Sequence, residues 1–153
     1  MATEMPLRAE LDAVLRASPA LADRSIVLER WWPGGARTRL KTVPAQGNLA
    51  GTVHGGALLT LADAAFEAAC NGYGRRCVAL ELSCHFVSAA HPGEELVAEA
   101  TEISRSRRTA SYRIEVCGGD PPRLRVVCMA LAYRTARWHL GEEGWPAAWV
   151  AQH

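Results

Sequence analysis

The clearest pattern in the chain is HGGALLTLADAAFEAACN, running from His54 to about Asn71 with no proline and no glycine after Gly56. Leu58, Leu61, Ala62, Ala65 and Ala69 form a continuous stripe at helical spacing, while Leu59, Phe66 and Cys70 make the opposite side apolar too. A helix apolar nearly all round is a buried one, and its only acids are Asp63 and Glu67. Downstream the period changes from helical to two. Over 78–87, Val78, Leu80, Leu82, Cys84 and Phe86 alternate with Ala79, Glu81, Ser83, His85 and Val87, which predicts a strand with the first set buried. The turn HPGEE at 91–95 leads into LVAEATEI, and Ala110, Tyr112, Ile114 and Val116 mark the core face of the next strand. GGDPP at 118–122 is a hairpin connection into RLRVVCMALAYR, where bulky Val127, Met129, Leu131 and Tyr133 oppose Val126, Cys128, Ala130 and Ala132. That pattern predicts a central strand covered on both faces.

Upstream, Leu7, Leu11, Val14 and Leu15 predict a short amphipathic helix over 6–17 that docks as an accessory. WWPGG at 31–35 reads as a turn and ARTRLKTV at 36–43 as a strand. Residues 136–153 carry no period that assigns helix or strand, but Trp138, Trp145 and Trp149 require that this stretch pack on something. The order is strand, buried helix, then four strands with hairpin-length links. It predicts the α+β class, with an antiparallel β-sheet wrapped around one long central helix. The expected organisation is a single domain over 1–135, made of an accessory helix in 1–20 and a core in 36–135, followed by a Trp-rich tail over 136–153.

At 153 residues and 49% hydrophobic, the chain can build one ordinary core and no second domain. Lys and Arg total 17 against 16 acids, so no global field draws the protein to nucleic acid or an anionic membrane. No run approaches the roughly 18 apolar residues of a spanning helix, and MATEMPLRAELD has acids where a secretory signal needs basic and apolar residues. Neither nucleic acid nor membrane is therefore expected as a partner, and the expected location is the cytoplasm. Cys70, Cys77, Cys84, Cys117 and Cys128 are odd in number, lack a C-x-x-C pair and sit among apolar residues. Each is expected to be a reduced, buried thiol rather than part of a disulfide framework or zinc site. His54, His85, His91 and His139 lack metal-ligand spacing and no glycine-rich phosphate loop is present, so no metal or cofactor is expected.

Two features carry chemistry. Gly55 and Gly56 stand where a helix leaves its first N–H donors unpaired, and such donors bind an anion or a polarised carbonyl oxygen. The alternative is a plain glycine N-terminus capped by His54. Asp63 lies within an apolar helix, where an ionised carboxylate costs several kcal/mol unless it is paired or faces a polar cavity; the alternative is a solvated strip. Glu67, at i+4, shares that face and would raise the proton affinity of a shielded Asp63. Gly55 and Asp63 are eight residues apart, roughly 12 Å along one helix, too far to touch one carbonyl. If they cooperate, each comes from a different subunit about a two-fold axis, and the protein is at least a homodimer. Arg105, Arg107 and Arg108 in SRSRR fall in a turn suited to phosphates or simply exposed to solvent.

Asn48, G-T-V-H-G-G at 51–56, L-A-D-A-A-F at 61–66, A-C-N at 69–71 and the turn HPGEEL together resemble the hotdog-fold acyl-CoA thioesterases. The similarity runs over about 36–135 and is greatest to the subgroup typified by the phenylacetic-acid-degradation thioesterase. The resemblance implies the hotdog fold and hydrolysis of an aryl- or medium-chain acyl-CoA. It implies that the Gly55 N–H polarises the thioester carbonyl and that Asp63 of the facing subunit is the general base or nucleophile. Asn48 would orient the attacking water and His54 would hold the loop or the thioester. Gly56, Glu67, Arg105, Arg107 and Arg108 would bind substrate, in a homodimer or a dimer of dimers. Glu67 departs from relatives with a small hydroxyl residue there, and Ala79 from relatives with a water-holding serine. A hotdog hydratase or dehydratase and a non-catalytic acyl-CoA-binding module are the competing readings.

Overall fold

The computed structural model describes residues 5–153. Two short helices, α1 (Arg8–Arg16) and α2 (Pro19–Asp23), precede the hairpin β1 (Val27–Trp32) and β2 (Gly35–Lys41). The long helix α3 (Gly55–Asn71) follows, then β3 (Arg75–Phe86), β4 (Glu95–Arg105), β5 (Thr109–Gly118), β6 (Arg123–Trp138) and a last helix α4 (Ala147–Gln152). The six strands form one antiparallel sheet in the order β1-β2-β4-β5-β6-β3, and α3 lies against β2, β3, β4 and β5.

The helix-on-sheet packing follows from residue size. Ala62, Ala65 and Ala69 are fully buried, as are Ala98, Ala100 and Ala132 of the strands, so backbones can approach closely. Leu58, Leu61 and Phe66 fill the remaining space, each worth about 1.5–3 kcal/mol of apolar burial. Phe66 meets Tyr112 with ring centroids 5.3 Å apart. Buried Thr38 donates to the Leu61 carbonyl at 3.2 Å, satisfying its hydroxyl and tying β2 to α3.

Four expectations are corrected. WWPGG is not wholly a turn: Trp31 and Trp32 end the extra strand β1, held there because buried Trp31 donates its indole N–H to Asp12 of α1 at 2.7 Å. Strand β3 is an edge strand with an irregular register between Ala79 and Glu81, and Val78, Leu80 and Phe86 are exposed rather than buried. In β6 only the small-residue face is covered, since Met129 and Tyr133 stand exposed on the other side. The thiols are not all reduced and buried. Cys84 and Cys128, directly paired across β3 and β6 with Cα atoms 4.1 Å apart, form a disulfide, and Cys77 and Cys117 are half-buried. The tail does pack. Strand β6 runs on to Trp138, Trp145 lies 5.5 Å from it and 6.4 Å from Trp149, and Trp149 donates to the Tyr73 carbonyl.

Candidate active site

Helix α3 begins at Gly55 with His54 as its cap, and the His54 Nδ1 accepts the Gly56 N–H at 2.9 Å. Since Nδ1 accepts, a proton on the neutral ring sits at Nε2. The cap uses the Gly56 donor, and Ala57 and Leu58 both donate to the His54 carbonyl. The Gly55 N–H has no acceptor among the described residues. Gly55 lines a pocket of about 430 Å³ with Asn48, Thr52, Leu58, Phe86 and Ser88. A Cβ at Gly55 would lie 3.0 Å from the Phe86 ring, so glycine is what lets the ring cross the helix end.

Asn48 shapes the loop before the helix. Its Oδ1 accepts from Ala50 N at 2.9 Å and Thr52 N at 3.1 Å, and one Nδ2 proton goes to the Thr52 hydroxyl at 2.8 Å. The loop is anchored on both sides by Val53 N to Ala90 O and His54 N to Gln46 O, each 2.8 Å.

Asp63 lies two turns along, exposed on the open stripe of α3 with Gly56 and Glu67 and, among the described residues, bonded to no other side chain. The protein packed around it nonetheless removes part of the solvation of its carboxylate and so pushes its carboxyl above its ordinary value. Glu67 does not supply that shift. It accepts instead from the Ser18 hydroxyl at 2.9 Å, at the rim of an apolar cavity of about 350 Å³ between α3 and the N-terminal helices. One protomer therefore keeps the Gly55 donor and the Asp63 carboxylate apart.

The turn between β4 and β5 holds Arg107 and Arg108, both exposed. Arg105 is different. It stacks over Tyr73 at 4.2 Å, pairs with Glu102 at 3.2 Å and donates to His153 Nδ1 at 3.1 Å. Sequence reading missed Phe86 and Ser88 as pocket neighbours of Gly55, because no period links a strand end to a helix start. It also missed Arg134, although Arg134 stands in phase with Val126, Cys128, Ala130 and Ala132 and is 4% exposed.

Residues 50–124 match the thioesterase superfamily. The phenylacetic acid degradation protein PaaI of Thermus thermophilus superposes with a TM-score of 0.73 at 31% identity, over 77% of this chain and all of that one (100%). The chain belongs to the thioesterase superfamily. Among curated relatives, the acyl-coenzyme A thioesterase PaaI of Escherichia coli is 38% identical over 63 residues, which is 41% of this chain and 45% of that protein. A putative esterase of Archaeoglobus fulgidus is 45% identical over 69 residues, 45% of each chain. The chain thus spans about half the length of these curated relatives. The superfamily match takes in the capped helix start, Asp63 and the β4–β5 turn, so the fold and the family rest on the segment that builds the site. No helix of the described residues is long and apolar enough to cross a membrane.

Proposed function

We propose that the protein is an acyl-CoA thioesterase that hydrolyses an aryl- or medium-chain acyl-CoA to the free acid and CoA at sites shared between two subunits. The observation that carries this reading is the unpartnered Gly55 N–H at the positive end of a buried helix, on a residue that lines a pocket. In the proposed reaction that N–H donates to the thioester carbonyl oxygen. Asp63 of the partner subunit takes a proton from water, and the hydroxide adds to the carbonyl carbon. The oxyanion, held by Gly55, collapses; the C–S bond breaks and the thiolate leaves with the proton returned by Asp63. Direct attack by the carboxylate, followed by hydrolysis of the anhydride, satisfies the same geometry.

His54 holds the helix start by taking up the Gly56 N–H, which leaves Gly55 as the donor facing substrate. The second Nδ2 proton of Asn48 orients the water. Gly56 lets substrate approach the main chain, Glu67 borders the acyl group, and Arg105, Arg107 and Arg108 face the nucleotide phosphates. The homodimer is supported by the free edge of β3, where Val78, Leu80, Phe86 and Val87 are exposed beside an unpaired backbone ladder. Exposed Met129 and Tyr133 offer a second surface for a dimer of dimers.

The test is free-thiol release from short, long and aromatic acyl-CoAs by wild type and Asp63→Asn. Release by wild type alone supports the reading. Tight binding with no thiol released by either would leave a binding module in its place.

A further inference from the structure

Away from the Gly55 pocket, two free thiols meet where α3 gives way to β3. Cys70 lies in the last turn of α3 and is buried. Cys77 stands near the start of β3, half-buried, on the wall of the cavity of about 350 Å³ between α3 and the N-terminal helices. Asn71 holds the two together. Its Oδ1 accepts the Cys77 N–H at 2.9 Å, and its Nδ2 lies 3.4 Å from both the Cys70 sulfur and the Cys77 carbonyl oxygen. The His139 Nε2 donates to the same Oδ1 at 2.8 Å, which fixes the amide from the side of the tail. The two thiols are unequal. A hydrogen bond from the Cys70 thiol, with the charges of Arg134 and Arg75, holds Cys77 below the ordinary thiol value against its own burial. The same contact and burial push Cys70 well above that value. Cys117, the remaining free thiol, is raised by burial and by the charge of Glu115.

A thiol that ionises readily on a cavity wall, beside a buried one that keeps its proton, is the arrangement of an attacking and a resolving cysteine. We propose that Cys77 and Cys70 are a redox-active dithiol that hydrogen peroxide converts to an intramolecular disulfide. The oxidant is small and uncharged, so the apolar walls of the cavity do not exclude it. The Cys77 thiolate attacks one peroxide oxygen; the S–O bond forms, the O–O bond breaks, and the departing hydroxide takes up a proton to become water. The Cys70 sulfur then attacks the sulfenic sulfur of Cys77. The S–S bond forms, the S–O bond breaks, and a second water leaves with the Cys70 proton. Two thiols lose two electrons and one peroxide is reduced to two waters. The link joins the last turn of α3 to the start of β3 across residues 71–76.

The test treats native protein with a small excess of hydrogen peroxide, blocks the remaining thiols by alkylation and maps the unreduced digest by mass spectrometry. Wild type should lose about 2 Da, its Cys70 and Cys77 peptides should appear joined, and a thiol reductant should reverse both changes. Cys117 should react at least about tenfold more slowly than Cys77. Cys77→Ser should leave Cys70 a free thiol, and Cys70→Ser should stop at a sulfenic acid on Cys77 that dimedone traps. Should Cys70→Ser fail to fold, wild type and Cys77→Ser decide the matter between them. Oxidation of Cys117 as fast as Cys77, or wild-type Cys77 driven to the sulfinic acid with no joined peptide, would overturn the proposal. Each outcome is read without turnover, whether or not the protein proves to be a thioesterase.

Discussion

Asp63 combines a cost and a proposed use in one side chain. Its carboxyl is pushed above its ordinary value by partial desolvation under the surrounding protein. A group whose pKa rises on folding contributes stability that is complete below its unfolded value and is lost as pH rises through the folded one. At neutral pH the ionised Asp63 is therefore a burden on the fold. Asp63→Asn should hold or raise the melting temperature at pH 7 while abolishing thiol release, a pairing that thermal denaturation and a thiol assay read together. Turnover of wild type should fall on acidification with a midpoint above the ordinary aspartate value of about 3.9, and an acid limb at or below that value would remove Asp63 as the base. Gly55 is limited by space. Gly55→Ala brings a methyl 3.0 Å from the Phe86 ring, shifting ring or helix start, and kcat should drop by about 10- to 100-fold. Phe86→Leu in the same chain should recover part of that loss; no recovery would place the defect elsewhere.

At the scale of elements, the helix was legible because its period extends over 17 residues with a glycine start. The β5 face was legible for a similar reason: Ala110, Tyr112, Ile114 and Val116 alternate in sequence and are all buried. Strand β3 was legible as a strand but not as an edge. Alternation reports that one face is apolar, not whether the cover comes from the same chain, and Val78 and Leu80 remain open in the single protomer. The Cys84–Cys128 link was invisible because register between strands 44 residues apart is set by the whole sheet. In the candidate site, the H-G-G start and Asp63 were read from spacing, whereas the burial of Arg134 against Ser106 and His153 shows only once the tail folds beside it. The disulfide has a direct check. Denatured, unreduced protein should titrate three thiols out of five, and Cys84→Ser should cost about 2–4 kcal/mol in denaturant unfolding. Five reactive thiols would exclude the link.

For the whole molecule, the proposed reaction requires two protomers to complete one site. Gly55 and Asp63 stand eight residues apart on the same helix, and the strand next to the Gly55 pocket is one of the two unpaired edges of the sheet. Pairing two β3 edges would bury Val78, Leu80 and Phe86 and bring the second protomer's helix toward the first pocket. Leu80→Lys places a charge on that edge without touching the core, since Leu80 is 57% exposed. It should convert the proposed dimer to a folded monomer in light scattering, and turnover should vanish with it. A monomer that keeps full activity would refute the shared site.

The most direct measurement mixes two inactive proteins. Asp63→Asn retains the Gly55 donor, and Gly55→Val retains the carboxylate. After subunit exchange, confirmed by mass, a mixed dimer rebuilds one intact site from the two chains, so statistical mixing should restore acyl-CoA hydrolysis to about a quarter of wild type. Mixed dimers that form and stay silent, while wild type hydrolyses the same substrate, would contradict the account.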